Sequence, residues 1–229
     1  GFVQVANTRE AARKELVDAW DRDRQQNPDI SRVILTHTND EVRALNEAAR
    51  ERMRAGGALG PDTRIAAERG ARDFASGDRI MFLKNERGLG VKNGSLGIVQ
   101  SANQFRMAVL LDNGRAVAFD LKDYAHVDHG YAATIHKAQG MTGDRVQVLA
   151  TPGVDSHSTY VALSRHREQV DIYYGRDDFA SQNKLVRDMH EARVGVTPDG
   201  VAGSSGGEFA RRLALPVFVL SADGRNFNG

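Results

Sequence analysis

The sequence contains no cysteine. That excludes disulfide bridges and thiolate metal ligands, and a reducing compartment fits the composition. Charge imbalance is also missing: 31 Lys and Arg stand against 30 Asp and Glu, a net charge of +1. Any contact with nucleic acid must therefore come from a local surface, because there is no overall basic field. No apolar run approaches the length of a membrane span, and the opening Gly1-Phe2-Val3-Gln4 is not a signal peptide, so the expected location is the cytoplasm. A phosphate loop of the form Gly-x-x-x-x-Gly-Lys-Ser/Thr is absent as well. Gly88-Leu89-Gly90-Val91-Lys92-Asn93 has neither that spacing nor the hydroxyl needed at Mg²⁺, so the chain cannot cradle the β and γ phosphates of a nucleotide by itself. What is present is an ordinary globular balance, 41% hydrophobic and 27% charged over 229 residues, enough for one large domain or two small ones.

Taken in order, Asn7-Thr8-Arg9-Glu10 has the form of a helix cap with an acid three residues later. Ala12, Leu16 and Trp20 then recur at four-residue spacing, predicting an amphipathic helix that ends before Pro28. Arg32–His37 reads as a buried strand. Thr38-Asn39-Asp40-Glu41 reads as a second capping box, opening a helix with Val42, Leu45, Ala49 and Met53 inward and Gly56-Gly57 at its end. Asp40-Glu41 is not a Walker B pair, because these acids follow Thr-His-Thr-Asn rather than the apolar strand itself.

From Phe74 to Tyr124 the pattern changes to short strands punctuated by Gly77-Asp78, Asn93-Gly94 and Asp112-Asn113-Gly114, predicting a small antiparallel barrel. The parallel pattern then resumes. Val146–Ala150 and Val170–Tyr174 are expected strands, a helix over Ser158–Arg167 lies between them, and a final helix covers Asp178 to about Arg193. Gly203–Gly207 has linker composition, and Leu213–Leu220 is apolar but too short to cross a bilayer.

Two stretches gather chemistry. Tyr131-Ala132-Ala133-Thr134-Ile135-His136-Lys137-Ala138-Gln139-Gly140 ends an apolar run on a donor-rich set suited to phosphate oxygens. Thr159–Glu168 places Arg165 and Arg167 behind Val161, Ala162 and Leu163, on an expected helix from which a guanidinium can reach out. His126, Asp128, His129 and His136 cluster in sequence, but their spacing matches no helical two-histidine zinc motif.

The segments Ala-Thr-Ile-His-Lys-Ala-Gln-Gly and Tyr-Val-Ala-Leu-Ser-Arg resemble the fifth and sixth signature motifs of superfamily 1 helicases of the RecD-like branch. The resemblance is strongest to the helicase part of TraA-type conjugative relaxases, and it runs from about Asn7 to Phe179. It implies an α/β fold: a RecA-like parallel sheet flanked by helices, residues 1–73 and 126–194, with an inserted SH3-like antiparallel β-barrel over 74–125 and a linker and tail over 195–229.

The same resemblance implies that Arg165 is an arginine finger and that Gln139 and Gly140 line the nucleotide side of a cleft. Thr134, His136 and Lys137 would face single-stranded DNA. Thr36, Thr38 and Asn39 look like the fourth motif against the DNA backbone, and Lys92 and Asn93, with Lys84 and Arg87, would give the insert a nucleic-acid-facing edge. ATP and Mg²⁺ would be bound mainly by an upstream Walker A/B motor domain of the same chain. The other implied partners are a relaxase domain and further conjugation proteins, in the bacterial cytoplasm.

Plainer readings stand beside these. Thr38 and Asn39 could serve only as caps, Lys92 and Asn93 only as solvated strand edges, His136 only as a residue at a helix start, and Arg165 only in an ion pair with Glu168 or Asp171. The rival to a 5′ to 3′ motor is a degenerate helicase half that holds single strands without turnover.

Overall fold

The computed structural model describes residues 2–68, 70–138, 141–154 and 156–191. It opens with β1 (Val3–Ala6), α1 (Arg9–Gln26), β2 (Arg32–Thr36) and α2 (Asn39–Ala55). There follow β3 (Thr63–Ala67), β4 (Gly70–Phe74), β5 (Arg79–Phe82), β6 (Leu96–Ala102), β7 (Arg106–Leu111), β8 (Ala116–Asp120) and β9 (Val127–His129). The chain returns through β10 (Ala132–Thr134), β11 (Gly143–Leu149), α3 (Ser156–Leu163), β12 (His166–Gly175) and α4 (Gln182–Glu191).

Five strands form a parallel sheet in the order β1-β12-β11-β2-β10. Alternate side chains along its strands face opposite layers, as the pleat requires. Ile34, Ala132, Leu149 and Tyr173 pack with Leu16, Trp20, Leu45 and Ala49 of α1 and α2. Val33, Leu35, Val148 and Ile172 pack with Val161, Leu163, Leu185 and Met189 of α3 and α4. Apolar cover on both faces is why β2 reads as an unbroken buried run. β1, at the sheet's edge, was not anticipated, since its pattern of exposed and half-buried residues carries little apolar signal.

The helix ends follow local chemistry. α1 begins one residue later than the sequence pattern suggests: Thr8, not Asn7, is the cap, and its Oγ1 accepts from Ala11 N. The far end of α1 is closed by Arg32, whose guanidinium donates to the carbonyls of Asp23, Asn27 and Ile30 and to the Asp23 carboxylate. Thr38 caps α2 as expected. Glu41 does not complete a reciprocal box; its carboxylate lies 3.6 Å from both Arg9 and Arg13 of α1.

Between α2 and β10 the chain builds an antiparallel sheet, β8-β7-β6-β5-β9, beside the hairpin β3-β4. The expected closed barrel is not what the pairing gives. Among the described residues the outer strands β8 and β9 are not joined, and the hairpin completes the core by adding Ile65 and Phe74 to Ile80, Phe82, Val109, Phe119 and Val127. Antiparallel pairing also begins at Thr63 and ends at His129, beyond both limits of the 74–125 interval expected for the insert. The hairpin escaped notice because Thr-Arg-Ile-Ala-Ala and Gly-Ala-Arg-Asp-Phe carry few β-branched or aromatic residues.

Insert and parallel sheet share apolar packing, since Met81, with Leu83 and Leu96 partly buried, joins the core beneath α3 and α4. The expected linker at Gly203–Gly207 and the apolar run Leu213–Leu220 lie outside the described residues.

Candidate functional site

The proposed contact residues divide between the two ends of the parallel sheet. At the carboxyl end, β10 and β2 pair with Thr134 opposite Thr36, so the turns following these strands are neighbours. His37, Thr38 and Asn39 follow β2 and are exposed; His136, exposed, and Lys137, half-buried, follow β10.

The two threonines at the strand ends are committed inward. Thr36 is fully buried and its hydroxyl donates to Leu149 O at 3.2 Å. Thr134 is 7% exposed and its Oγ1 accepts from Lys137 N at 3.3 Å, which shapes the turn that presents Lys137. Thr38 both caps α2 and stands exposed, so its capping role is observed.

The insert supplies a third element here. Gly94, at φ +86, is backed by Lys137 O and the Met141 side chain, with an ideal Cβ 3.6 Å from that carbonyl. Exposed Lys92 and Asn93 therefore sit on the turn seated against the segment that carries Lys137. That turn is held by Ser95 Oγ accepting from Lys92 N and by Asn85 Oδ1 accepting from Asn93 N.

Arg165 lies at the opposite end. It is not on a helix, as the sequence pattern suggests; α3 stops at Leu163 and Arg165 occupies the bend before β12, while Arg167 is within β12 and pairs with Asp144 at 3.0 Å. The helix ends there because Gly143 N donates to Arg165 O at 2.9 Å, which draws the chain into the sheet. The half-buried guanidinium donates from Nε to Val161 O and from Nη2 to Ser164 Oγ, both at 3.0 Å. Such a cation at a helix C-terminus is stabilised by the carbonyls left over there.

Neither proposed ion-pair partner is used by Arg165. Glu168 lies 3.7 Å from Arg145, and Asp171 accepts from Phe2 N and Gln169. Gln139 and Gly140 lie outside the described residues. They belong to the segment that runs from the carboxyl end of β10 to Gly143, which pairs with His166. With six residue-to-residue steps from Gly143 to Leu149 at about 3.3 Å each, the two edges are roughly 20 Å apart.

The sequence reading missed the support around Arg165. Asp144 accepts from the hydroxyl and the amide of Ser31, at 2.6 and 3.0 Å, and from Arg167. These hydrogen bonds, chiefly from Ser31, hold its carboxyl below the usual range. The signal was the carboxylate just inside β11, next to the Gly143 that pairs with Arg165. The imidazoles weighed for zinc have other partners: His126 Nδ1 lies 2.7 Å from Glu68, and His129 Nε2 lies 3.0 Å from Asp73 O. Among the described residues no three metal-ligating side chains cluster, and no helix is long and apolar enough to cross a membrane.

Comparison with known proteins gives the chain's relatives. The viral superfamily 1 RNA helicase core domain matches residues 83–174. A probable conjugal transfer protein TraA of Sinorhizobium fredii is 42% identical over 190 residues, covering 82% of this chain and 17% of that protein. A conjugal transfer protein TraA of Agrobacterium fabrum is 43% identical over 177 residues, covering 76% and 16%. The ATP-dependent RecD2 DNA helicase of Deinococcus radiodurans is 33% identical over 97 residues, covering 41% and 13%. The chain thus spans under a fifth of the relatives it matches. Among solved structures, a Pif1 helicase from Bacteroides in complex with ADP-AlF3 and single-stranded DNA superposes with a TM-score of 0.51 at 21% identity, over 69% of this chain and 44% of that one, a likeness of fold.

Proposed function

The chain carries a superfamily 1 helicase core and is related over most of its length to TraA conjugal transfer proteins, and from that premise we propose that it is the second RecA-like domain of an ATP-dependent helicase. Its motor would move 5′ to 3′ on single-stranded DNA as part of a conjugative relaxase in the bacterial cytoplasm. In this reading the antiparallel unit takes the place of the branch's SH3-like module, as an open sheet with a hairpin rather than a closed barrel.

The observation that carries the reading is the division of labour between the sheet ends. Arg165 is held at the amino edge and Lys137, His136, Thr38 and Asn39 at the carboxyl edge, about 20 Å away, with the single segment from Thr134 to Gly143 joining them. A domain that converts phosphate chemistry into strand movement needs those two sites apart and mechanically linked. Strand contacts would come from Lys137, His136, Asn39 and the Lys92-Asn93 turn.

In this reading ATP and Mg²⁺ are held chiefly by a Walker A/B domain upstream in the same protein, with Gln139 and Gly140 beside them and this chain alone inactive as an ATPase. Arg165 fits its role: it is half-buried, held on Val161 O and Ser164 Oγ, and joined to no carboxylate among the described residues. Its charge therefore remains available to a transferring phosphoryl group. An uncompensated, positioned guanidinium favours a motor over a degenerate strand-binding half, which has no use for one.

Arg165→Ala, made in the complete protein that contains the Walker loop, is expected to abolish ATP-driven unwinding and leave single-strand affinity nearly intact. Equal loss of both activities would remove Arg165 from the phosphoryl-transfer role.

A further inference from the structure

Where α3 ends, the Val161 carbonyl loses its helical partner. Four residues on, Arg165 N donates instead to Ala162 O at 3.3 Å, which leaves the Val161 oxygen with only a long backbone bond, 3.3 Å, from Ser164 N. Two side chains make good the loss: Ser164 Oγ donates to Val161 O at 3.1 Å and Arg165 Nε donates to it at 3.0 Å. These two are themselves joined, since Ser164 Oγ accepts from Arg165 Nη2 at 3.0 Å. Carbonyl, hydroxyl and guanidinium thus close a ring. The single hydroxyl proton of Ser164 is spent on Val161 O, so toward the guanidinium the oxygen can only accept.

A guanidinium is planar, with donors in fixed directions, and it presents two forks that each match a pair of oxygens. In Arg165 the fork of Nε and Nη2 is filled by Val161 O and Ser164 Oγ. The other fork, of Nη1 and the second hydrogen of Nη2, has no partner among the described residues. Because the group is rigid, fixing one fork fixes the aim of the other. The bond from Nε alone would let the plane swing about it; the bond to Ser164 stops that. Arg167, two residues on, has no such support and is exposed and paired with Asp144 at 3.0 Å.

We infer that Ser164 is a positioning residue for phosphoryl transfer: its hydroxyl orients Arg165 so that the free fork takes two oxygens of the transferring γ-phosphoryl group of a bound nucleoside triphosphate. The inference rests on the finger reading of Arg165 above and deepens it. Ser164 acts through Arg165 and does not itself touch the nucleotide. An oriented charge counts most where charge develops in the transition state, so the effect of the hydroxyl falls on the chemical step and not on nucleotide binding.

The test is made in the complete protein that contains the Walker loop, with single-stranded DNA at saturation, and reads ATP hydrolysis together with the thermal midpoint. Ser164→Ala removes the hydroxyl from a half-buried site. It should lower kcat about tenfold, the effect of losing one hydrogen bond to a charged group, with KM for ATP and the thermal midpoint little changed. Ser164→Thr keeps a hydroxyl on the same carbon and should restore kcat. The second readout is affinity for ADP with aluminium fluoride, which mimics the transferring phosphoryl group. Ser164→Ala should weaken that affinity by a similar factor and leave the affinity for ADP alone unchanged. A purely structural serine would not separate those two ligands.

If Arg165→Ala is inactive while Ser164→Ala keeps the wild-type kcat, Ser164 positions nothing and the finger reading stands without it. A loss of kcat that follows a fall in thermal midpoint, with threonine failing to restore it, would likewise reduce Ser164 to a structural residue. If Arg165→Ala hydrolyses ATP as the wild type does, the finger reading fails and the inference fails with it.

Discussion

The phenol of Tyr131 donates to Oδ1 of Asp78 at 2.7 Å, with both residues shut away from solvent. Asp78 also accepts from Ala75 N at 2.7 Å and from Arg50 Nε at 3.0 Å. One carboxylate at the head of β5 is thus bonded to α2 and to the residue that precedes β10, the two elements whose ends carry Asn39 and Lys137. Burial, followed by the Asp78 charge, pushes the Tyr131 phenol well above its usual pKa, so it remains a donor at any physiological pH.

Asp78→Ala is expected to destabilise the chain by about 3 kcal/mol, because it leaves the buried Tyr131 phenol and Ala75 amide without their acceptor and removes one of the two carboxylates paired with Arg50. Tyr131→Phe removes one hydrogen bond and should cost about 1 kcal/mol. Urea midpoints of the two variants against wild type decide the ordering; equal effects would mean that Asp78 is no junction.

Gly175→Ala should be costly for a different reason. A Cβ at Gly175 would collide with Asp177 Oδ1 and Arg9 N, within the contact where Asp177 accepts from the first amide of α1 at 2.8 Å. Backbone must move to admit the methyl, at roughly 1–3 kcal/mol by the usual cost of overpacking. Calorimetric unfolding of the variant measures it, and an unchanged midpoint would show that the β12–α1 junction is soft.

Much of this arrangement was legible in the sequence, and the misses have physical causes. α1, α2, β2 and β11 follow from apolar periodicity, and Thr38 was recognisable as a cap. Arg165 was found as a residue but put on a helix, because Val161–Leu163 reads as continuing and only the pairing of Gly143 with the Arg165 carbonyl ends it. Thr36 was expected at the functional edge, yet its hydroxyl is spent on Leu149, a partner 113 residues away that no local pattern shows. The Asp78 junction likewise depends on contacts 28 and 53 residues apart in sequence, which no local pattern shows.

Acid should weaken the support around Arg165 in a defined window. The folded pKa of Asp144 is lowered, first by the Ser31 hydroxyl and then by the Ser31 amide and Arg167. Its contribution is complete above the unfolded value of about 3.9 and is lost as pH falls through the folded value. The stability gap between wild type and Asp144→Asn should therefore be constant near neutrality and shrink below about pH 4. Denaturant titrations at several pH values test it, and a gap that widens in acid would refute the assignment.

Lys137→Ala should weaken oligothymidine binding and flatten its salt dependence. Losing one phosphate contact lowers the slope of log K against log salt by about 0.7 for a single strand. Affinity measured across a range of NaCl concentrations reads this directly, and a parallel shift with unchanged slope would show that the ammonium does not touch phosphate.

Met81 belongs to the antiparallel strand β5 but is buried in the core beneath α3 and α4, with Leu83 and Leu96 packed against it. The inserted unit is therefore not portable. Excised and grafted elsewhere, it would carry a bare apolar seam with it, and the parallel sheet left behind would have a hole where that seam had been. Any other insert at this place would have to bring a matching apolar seam for the core beneath α3 and α4.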